Sequence, residues 1–233
     1  MKIKNVLLSC NSNPTYLDFW PITSKIWKQR FNIHPILIYI DHDDPNIDEN
    51  FGTVIKMKPL QGISVVTQSQ FARLWHLQFY PDDICITSDM DLLPISHWFF
   101  KTQIKDIDSL RYVITSIDGG HINIMFNIAL GRTFKEYLDL KDNWEDQLNV
   151  LNDPIYRENN QISWSADEIF LTEKLKNKPY LKLERDIRST RIDRSNWNYS
   201  EQKLKLGMYY DCHSLRPYNQ YKNEIDKLIN QIL

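Results

Sequence analysis

Glycine is scarce in this chain, 6 residues in 233, and neither Gly-x-Gly-x-x-Gly nor the P-loop pattern can be written from those six. That excludes the glycine loops in which dinucleotide and P-loop proteins cradle phosphate. Cysteine is sparser still. Cys10, Cys85 and Cys212 are odd in number and far apart, which excludes a disulfide framework and zinc-type spacing and leaves buried free thiols in a reducing compartment as the expectation. No sign of charge dominates: 28 Lys and Arg stand against 30 Asp and Glu, a net charge of -2, so there is no general basic field for nucleic acid. No apolar run approaches the roughly 18–20 residues of a membrane span. The first ten residues enter a strand-like stretch without the length or cleavage pattern of a signal peptide, so the expected location is cytoplasmic. Repeats, low-complexity tracts and Gly/Ser linkers are also missing, and the length suits one domain with a real core.

Aromatic residues are plentiful, with 7 Trp and 12 Tyr, as a well-filled core or a stacking cleft requires. The most informative stretch runs from Asp83 to Asp91, Asp-Ile-Cys-Ile-Thr-Ser-Asp-Met-Asp. Ile84 to Thr87 read as a buried β-strand. Because side chains alternate along an extended chain, Asp89 and Asp91 point the same way and Met90 points back into the protein. Two carboxylates at the carboxyl end of a central strand make a hard oxygen site suited to Mg²⁺ or Mn²⁺, at the edge where open α/β sheets place their ligands. Haloacid-dehalogenase phosphatases also set two aspartates after a strand, but their pattern wants Thr or Val where this chain has Leu93.

Two further constellations follow. In Trp164-Ser-Ala-Asp167-Glu168, Ser165 and Glu168 have capping-box spacing. Glu168 therefore reads as closing a helix N-terminus, which leaves Asp167 in the first turn, free to project into a cleft as a carboxylate able to accept a proton from an acceptor hydroxyl. In Asp211-Cys-His213-Ser-Leu-Arg216, His213 is either a structural histidine or a third ligand acceptable to Mn²⁺, and Arg216 could contact phosphate. Arg185, Arg188, Arg191 and Arg194 recur at every third residue, as a solvated or salt-bridged face or as a loop that closes over diphosphate. The turn Asp118-Gly-Gly-His121 joins two strands. Asp41-His-Asp-Asp44 lacks the glycine and terminal glutamate of a calcium loop.

Periodicity predicts strands at 6–9, 36–40, 53–57, 84–87, 112–116 and 123–129. It predicts helices at 15–30 with Thr15 as cap, and at 69–80, 133–140, 166–176 and from 218 to the end. Strands alternating with helices through the first half imply an α/β fold with a mostly parallel sheet covered on both faces.

Strand-Asp89-x-Asp91, then Trp164-x-x-Asp167-Glu168, then Asp211-x-His213 together resemble the nucleotide-sugar glycosyltransferases of the GT-A fold, in order and spacing over nearly the whole chain. The resemblance implies a Rossmann-type, mostly parallel central sheet with helices on both faces in a single compact domain. Residues 1–110 would form the nucleotide and metal half, and 111–233 the acceptor half. It further implies that Asp91 coordinates Mn²⁺ (or Mg²⁺), that Asp89 meets the donor ribose or a metal-bound water, and that His213 completes the metal site. Ser9, Asn11 and Ser12 would lie against the nucleotide. Arg73 would meet donor phosphate or sugar, its alternative being a solvent-facing helix arginine. Asp167 would be the base of an inverting transfer, with Glu168 as the alternative. The implied partners are a nucleotide-diphosphate sugar, UDP foremost, and a saccharide or glycan acceptor. A retaining enzyme could carry the same metal site. A sugar nucleotidyltransferase shares the sheet but wants a glycine-rich loop where this chain has Cys10-Asn-Ser-Asn-Pro14, and a non-catalytic nucleotide-sugar-binding protein would keep the cleft without the base.

Overall fold

The computed structural model describes residues 2–103, 111–183 and 185–233. Ten strands matter to the site: β1 (Asn5–Cys10), β2 (His34–Ile40), β3 (Thr53–Met57), β4 (Ile84–Thr87), β5 (Leu92–Pro94), β6 (Tyr112–Ile114), β7 (Ile128–Leu130), β8 (Tyr180–Lys182), β9 (Arg191–Asp193) and β10 (Asp211–His213). Seven form the central sheet in the order β8-β6-β7-β4-β1-β2-β3. Its pairs are parallel except for β7, which runs antiparallel to both neighbours.

Strict alternation along β1 divides the core between the two faces of the sheet. Val6 and Leu8 join Trp20, Trp27, Phe31, Ile225 and Leu228 on one face. Leu7 joins Phe71, Leu74, Phe134 and Phe170 on the other. Helices α1 (Trp20–Lys25) and α5 (Lys222–Ile229) thus cover the first face, and α2 (Val65–His76), α3 (Gly131–Leu138) and α4 (Ala166–Leu175) cover the second. The sheet covered on both sides matches the fold expected from the sequence. Cys10, Cys85 and Cys212 are free and buried; burial, helped by the charge of Asp83, pushes the Cys85 thiol up to about 12. Among the described residues no helix is long and apolar enough to cross a membrane.

Several elements depart from the periodic reading. The helix expected over 15–30 is three pieces: Pro14–Leu17, α1, and a π-helical segment Ile26–Phe31. Pro21 has no N–H to give and fits only a first helical turn, so the helix restarts there. The first piece is capped by Asn13, whose side chain accepts the Thr15 N–H at 3.0 Å, rather than by Thr15. Helix α2 starts at Val65 because the Ser64 hydroxyl accepts the Thr67 N–H at 3.1 Å. The strand expected over 123–129 shortens to β7 because Phe126 takes a left-handed φ of 53°, which an extended ladder does not accommodate.

The remaining strands form a small second sheet of order β9-β10-β5. β10 runs parallel to β9 and antiparallel to β5, with His213 opposite Asp193 on one side and Leu92 on the other. Three short strands thereby bring the C-terminal region against the chain just past Asp91.

Candidate active site

After β4 the chain turns through Asp89 and Asp91 and re-enters β5 at once. Met90 points into the core, 2% exposed, with its carbonyl accepting the Thr23 hydroxyl at 2.8 Å. Both carboxylates border one cleft, as alternation predicted. Ser9 and Asn11 from the end of β1, Arg73 from α2, Trp164 just ahead of α4, Asp167 and Glu168 from its first turn, and Arg194, His213 and Arg216 from the C-terminal region border it too. Eight of the nine residues read from the sequence therefore converge. Ser12 is the exception: it is exposed, outside that lining, and its N–H donates to Asp41 at 3.0 Å.

Arg73 is buried, 5% exposed, so the solvent-facing alternative is overturned. Its Nη1 donates to the Ser88 carbonyl at 2.8 Å and to Asp89 Oδ1 at 2.5 Å, and its Nη2 to Asp167 Oδ2 at 3.3 Å. Burial works against the Asp89 charge, but Arg73 outweighs it and holds that carboxyl below its ordinary range. The two carboxylates hold Arg73 firmly protonated despite its own burial.

At the head of α4 the capping box does not form: Ser165 makes no side-chain cap bond, and Glu168 instead accepts the Ile124 N–H at 3.4 Å. Asp167 has both oxygens engaged, Oδ1 by the Glu168 N–H at 2.9 Å and Oδ2 by Arg73. Burial pushes Asp167 up to about 6 against the pull of Arg73. Burial and then the charge of Asp167 push Glu168 up to about 7. Trp164, 64% exposed, stands at the rim, its carbonyl accepting a bond from the Gln70 side chain at 3.0 Å.

Asp91 is 3% exposed, and three groups meet its Oδ2: Arg194 Nη1 at 2.5 Å, Arg216 Nη1 at 3.5 Å and His213 Nε2 at 3.7 Å. His213 Nδ1 lies 3.2 Å from Asp193 Oδ2, the carboxylate–imidazole pairing that orients metal-ligating histidines. A carboxylate oxygen beside an imidazole held this way suits Mn²⁺, so the donor pair fits a cation once Arg194 moves off the shared oxygen. Among the described residues no three His, Cys, Asp or Glu side chains converge as a ready metal cage. The arginine series is salt-bridged in three of its four members. Arg185 and Arg191 both reach the buried Asp211 at 2.6 Å, Arg194 takes Asp91, and Arg188 is exposed. Sequence reading missed Asp193, and it saw Arg194 only as a member of that repeat.

No protein-family model and no curated protein sequence matches the chain. Solved structures do. The galactosyltransferase LgtC, solved with donor and acceptor sugar analogues, superposes over 98% of this chain and 96% of its own, at 12% identity and a TM-score of 0.52. A glycosyltransferase involved in glycosylation of the PBCV-1 major capsid matches over 97% of this chain and 99% of its own, at 10% identity and a TM-score of 0.51. The fold is that of the GT-A glycosyltransferases. GlyE of Streptococcus pneumoniae TIGR4 matches over 99% of this chain at 15% identity and a TM-score of 0.50, and the chain spans about half of GlyE's length, 51%. The GT-A sheet accounts for the position of the cleft, outside the carboxyl ends of β1 and β4, where open α/β sheets bind ligands.

Proposed function

We propose that this protein is a cation-dependent glycosyltransferase that moves a sugar from a nucleoside-diphosphate donor, UDP foremost, to a saccharide acceptor. One observation carries the reading: in a GT-A fold, Asp89, Asp91 and His213 border one cleft with the cationic side chains of Arg194 and Arg216. Ser9 and Asn11 are the proposed contacts of base and ribose. Arg216 is the proposed contact of phosphate. Asp91 and His213 would hold Mn²⁺ (or Mg²⁺), with Asp193 fixing the imidazole and Asp89 facing the ribose. When bound, such an ion screens the charge that builds on the departing diphosphate. In this assignment residues 1–110 serve mainly the donor and the rim near Trp164 serves the acceptor, for which an exposed indole offers a stacking face.

Inverting transfer needs a base beside the acceptor hydroxyl. Asp167 was the first candidate from sequence, but both its oxygens are engaged. Glu168 is only half-buried, accepts one long bond, and has a proton affinity near neutrality, which suits a general base. We therefore assign the proton to Glu168 and give Asp167 the task of positioning Arg73. A second reading, transfer with retention, is favoured by the single guanidinium that links Asp167 to Asp89, because it sets that carboxylate on the donor side.

The first test is calorimetry with a panel of nucleoside diphosphates, with Mn²⁺ and with chelator, on wild type and Asp91→Ala. Cation-dependent binding of one nucleotide, lost in the variant, is the expected result; no binding of any nucleotide under either condition overturns the reading. NMR of the new anomeric proton then decides inversion or retention. Glu168→Gln should abolish turnover and leave nucleotide affinity within about threefold, whereas a binding protein would show no turnover to lose.

A further inference from the structure

Arg194 stands on the carboxylate oxygen that a cation would need. Its Nη1 makes the shortest contact to Asp91 Oδ2, 2.5 Å, inside the 3.5 Å of Arg216 and the 3.7 Å of His213. A lone pair that accepts a short charge-assisted bond is not also available to a hard cation, which approaches carboxylate oxygen to about 2.0–2.2 Å. On Oδ2, the oxygen that His213 Nε2 also faces, guanidinium and cation compete for room and repel by like charge.

Of the three groups, Arg194 is the one free to leave. Arg216 also donates to the Tyr16 hydroxyl at 2.6 Å and lies over that ring at 5.3 Å. His213 is held by Asp193. Arg194 has Asp91 as its described partner, keeps 26% of its side chain exposed, and follows β9 directly. The turn beneath it is fixed independently, by the Ser195 N–H and hydroxyl donating to Asp193 Oδ1 at 2.9 and 2.7 Å. The guanidinium can therefore swing while the backbone stays in place. It already borders the donor cleft, so leaving Asp91 does not take it away from the substrate.

We propose that Arg194 is an exchangeable counter-ion of Asp91: it neutralises the buried carboxylate until a divalent cation enters, then yields that oxygen and turns to the donor diphosphate. This rests on the cation-dependent donor site argued above and adds a residue to it. Asp91 stays compensated in both states, which a buried carboxylate requires. Two consequences distinguish exchange from a static ion pair. The cation binds more weakly than its own ligands would allow, because the competent form must first be vacated. Cation and diphosphate also help each other, since a phosphate that receives Arg194 favours its departure from Asp91, and such coupling is reciprocal.

The experiment is Mn²⁺ binding to the full chain, followed by loss of the free-ion electron paramagnetic resonance signal, for wild type, Arg194→Gln and Asp91→Asn, first alone and then with saturating UDP. Circular dichroism melts check that each variant folds. Exchange predicts that R194Q binds Mn²⁺ alone about tenfold more tightly than wild type. It also predicts that D91N binds at least tenfold more weakly, and that the UDP-induced gain in Mn²⁺ affinity shrinks in R194Q. Unchanged or weaker Mn²⁺ binding by R194Q, with D91N still losing the ion, overturns the exchange and leaves the donor-site reading standing. Mn²⁺ binding indifferent to D91N overturns both.

Discussion

Asp167 lies 94 residues downstream of Arg73, yet its Oδ2 meets the Arg73 Nη2 at 3.3 Å while the same guanidinium holds Asp89. One buried cation from α2 thus joins the end of β4 to the head of α4 and sets the distance between the two carboxylate groups of the cleft.

Arg73→Met should show how much depends on that link. Removing one partner of a buried pair leaves carboxylates without compensation, at a cost of roughly 3 kcal/mol. Asp89, with 33% of its side chain exposed, keeps the figure at the low end of the usual range. Urea unfolding should give a lower midpoint with an unchanged slope, and turnover should fall by at least about a hundredfold. The double variant Arg73→Met/Asp167→Asn should recover part of the stability and none of the activity. Additive losses instead would mean that the two residues are not coupled.

The pH dependence follows from the raised pKa values of Asp167, about 6, and Glu168, about 7. Both exceed their ordinary values of 3.8 and 4.5, so between about pH 4 and 7 the folded state holds more protons than the unfolded one, and stability from this pair falls as pH rises. The loss is complete above about pH 7. Thermal melts across that range should show wild type losing more than Asp167→Asn/Glu168→Gln. If Glu168 is the base, kcat/KM should rise with pH toward a plateau above about 7, since the base works deprotonated.

Trp164 should matter to the acceptor alone. Trp164→Ala removes an exposed indole without opening the core, so stability should change by less than about 0.5 kcal/mol. Acceptor KM should rise about tenfold with nucleotide affinity unchanged, in line with loss of one stacking contact. An equal loss of donor affinity in calorimetry would move Trp164 to the nucleotide.

Gly131 opens α3 against the preceding helical turn. A Cβ there would lie 2.2 Å from the Tyr80 carbonyl oxygen and 2.5 Å from that of Leu77, and both are backbone atoms. Gly131→Ala should therefore cost about 2–4 kcal/mol as the head of α3 is pushed off the turn at Leu77 to Tyr80. A melting temperature within 2 °C of wild type (a rough threshold) would count against this packing.

Much of the first half was legible in the sequence. β2, β3 and β4 coincide with the expected strands at 36–40, 53–57 and 84–87 or exceed them only at one end, because long β-branched runs bounded by Pro and Asp report extended backbone locally. The pairing of Asp89 and Asp91 on one side was equally legible. β5 and β9 were not, being three residues each and formed only against β10. Nor was the break at Pro21 read, although the residue itself marks it. The capping box failed because the Glu168 side chain turned to the Ile124 N–H and the Glu168 N–H, which Ser165 would have capped, was taken by Asp167 Oδ1.

What the sequence alone determined is local: a strand that ends in two carboxylates facing the same way, a helix that begins with two more, and a core that alternates by the period of the strand. What only the tertiary structure decided is which charges meet. Arg194 is 103 residues from Asp91 and Arg216 is 125, and no periodicity connects them. They share one carboxylate oxygen because three short strands pair across the end of the main sheet, and such pairing is set by long-range packing and hydrogen bonding rather than by the residues of any one segment.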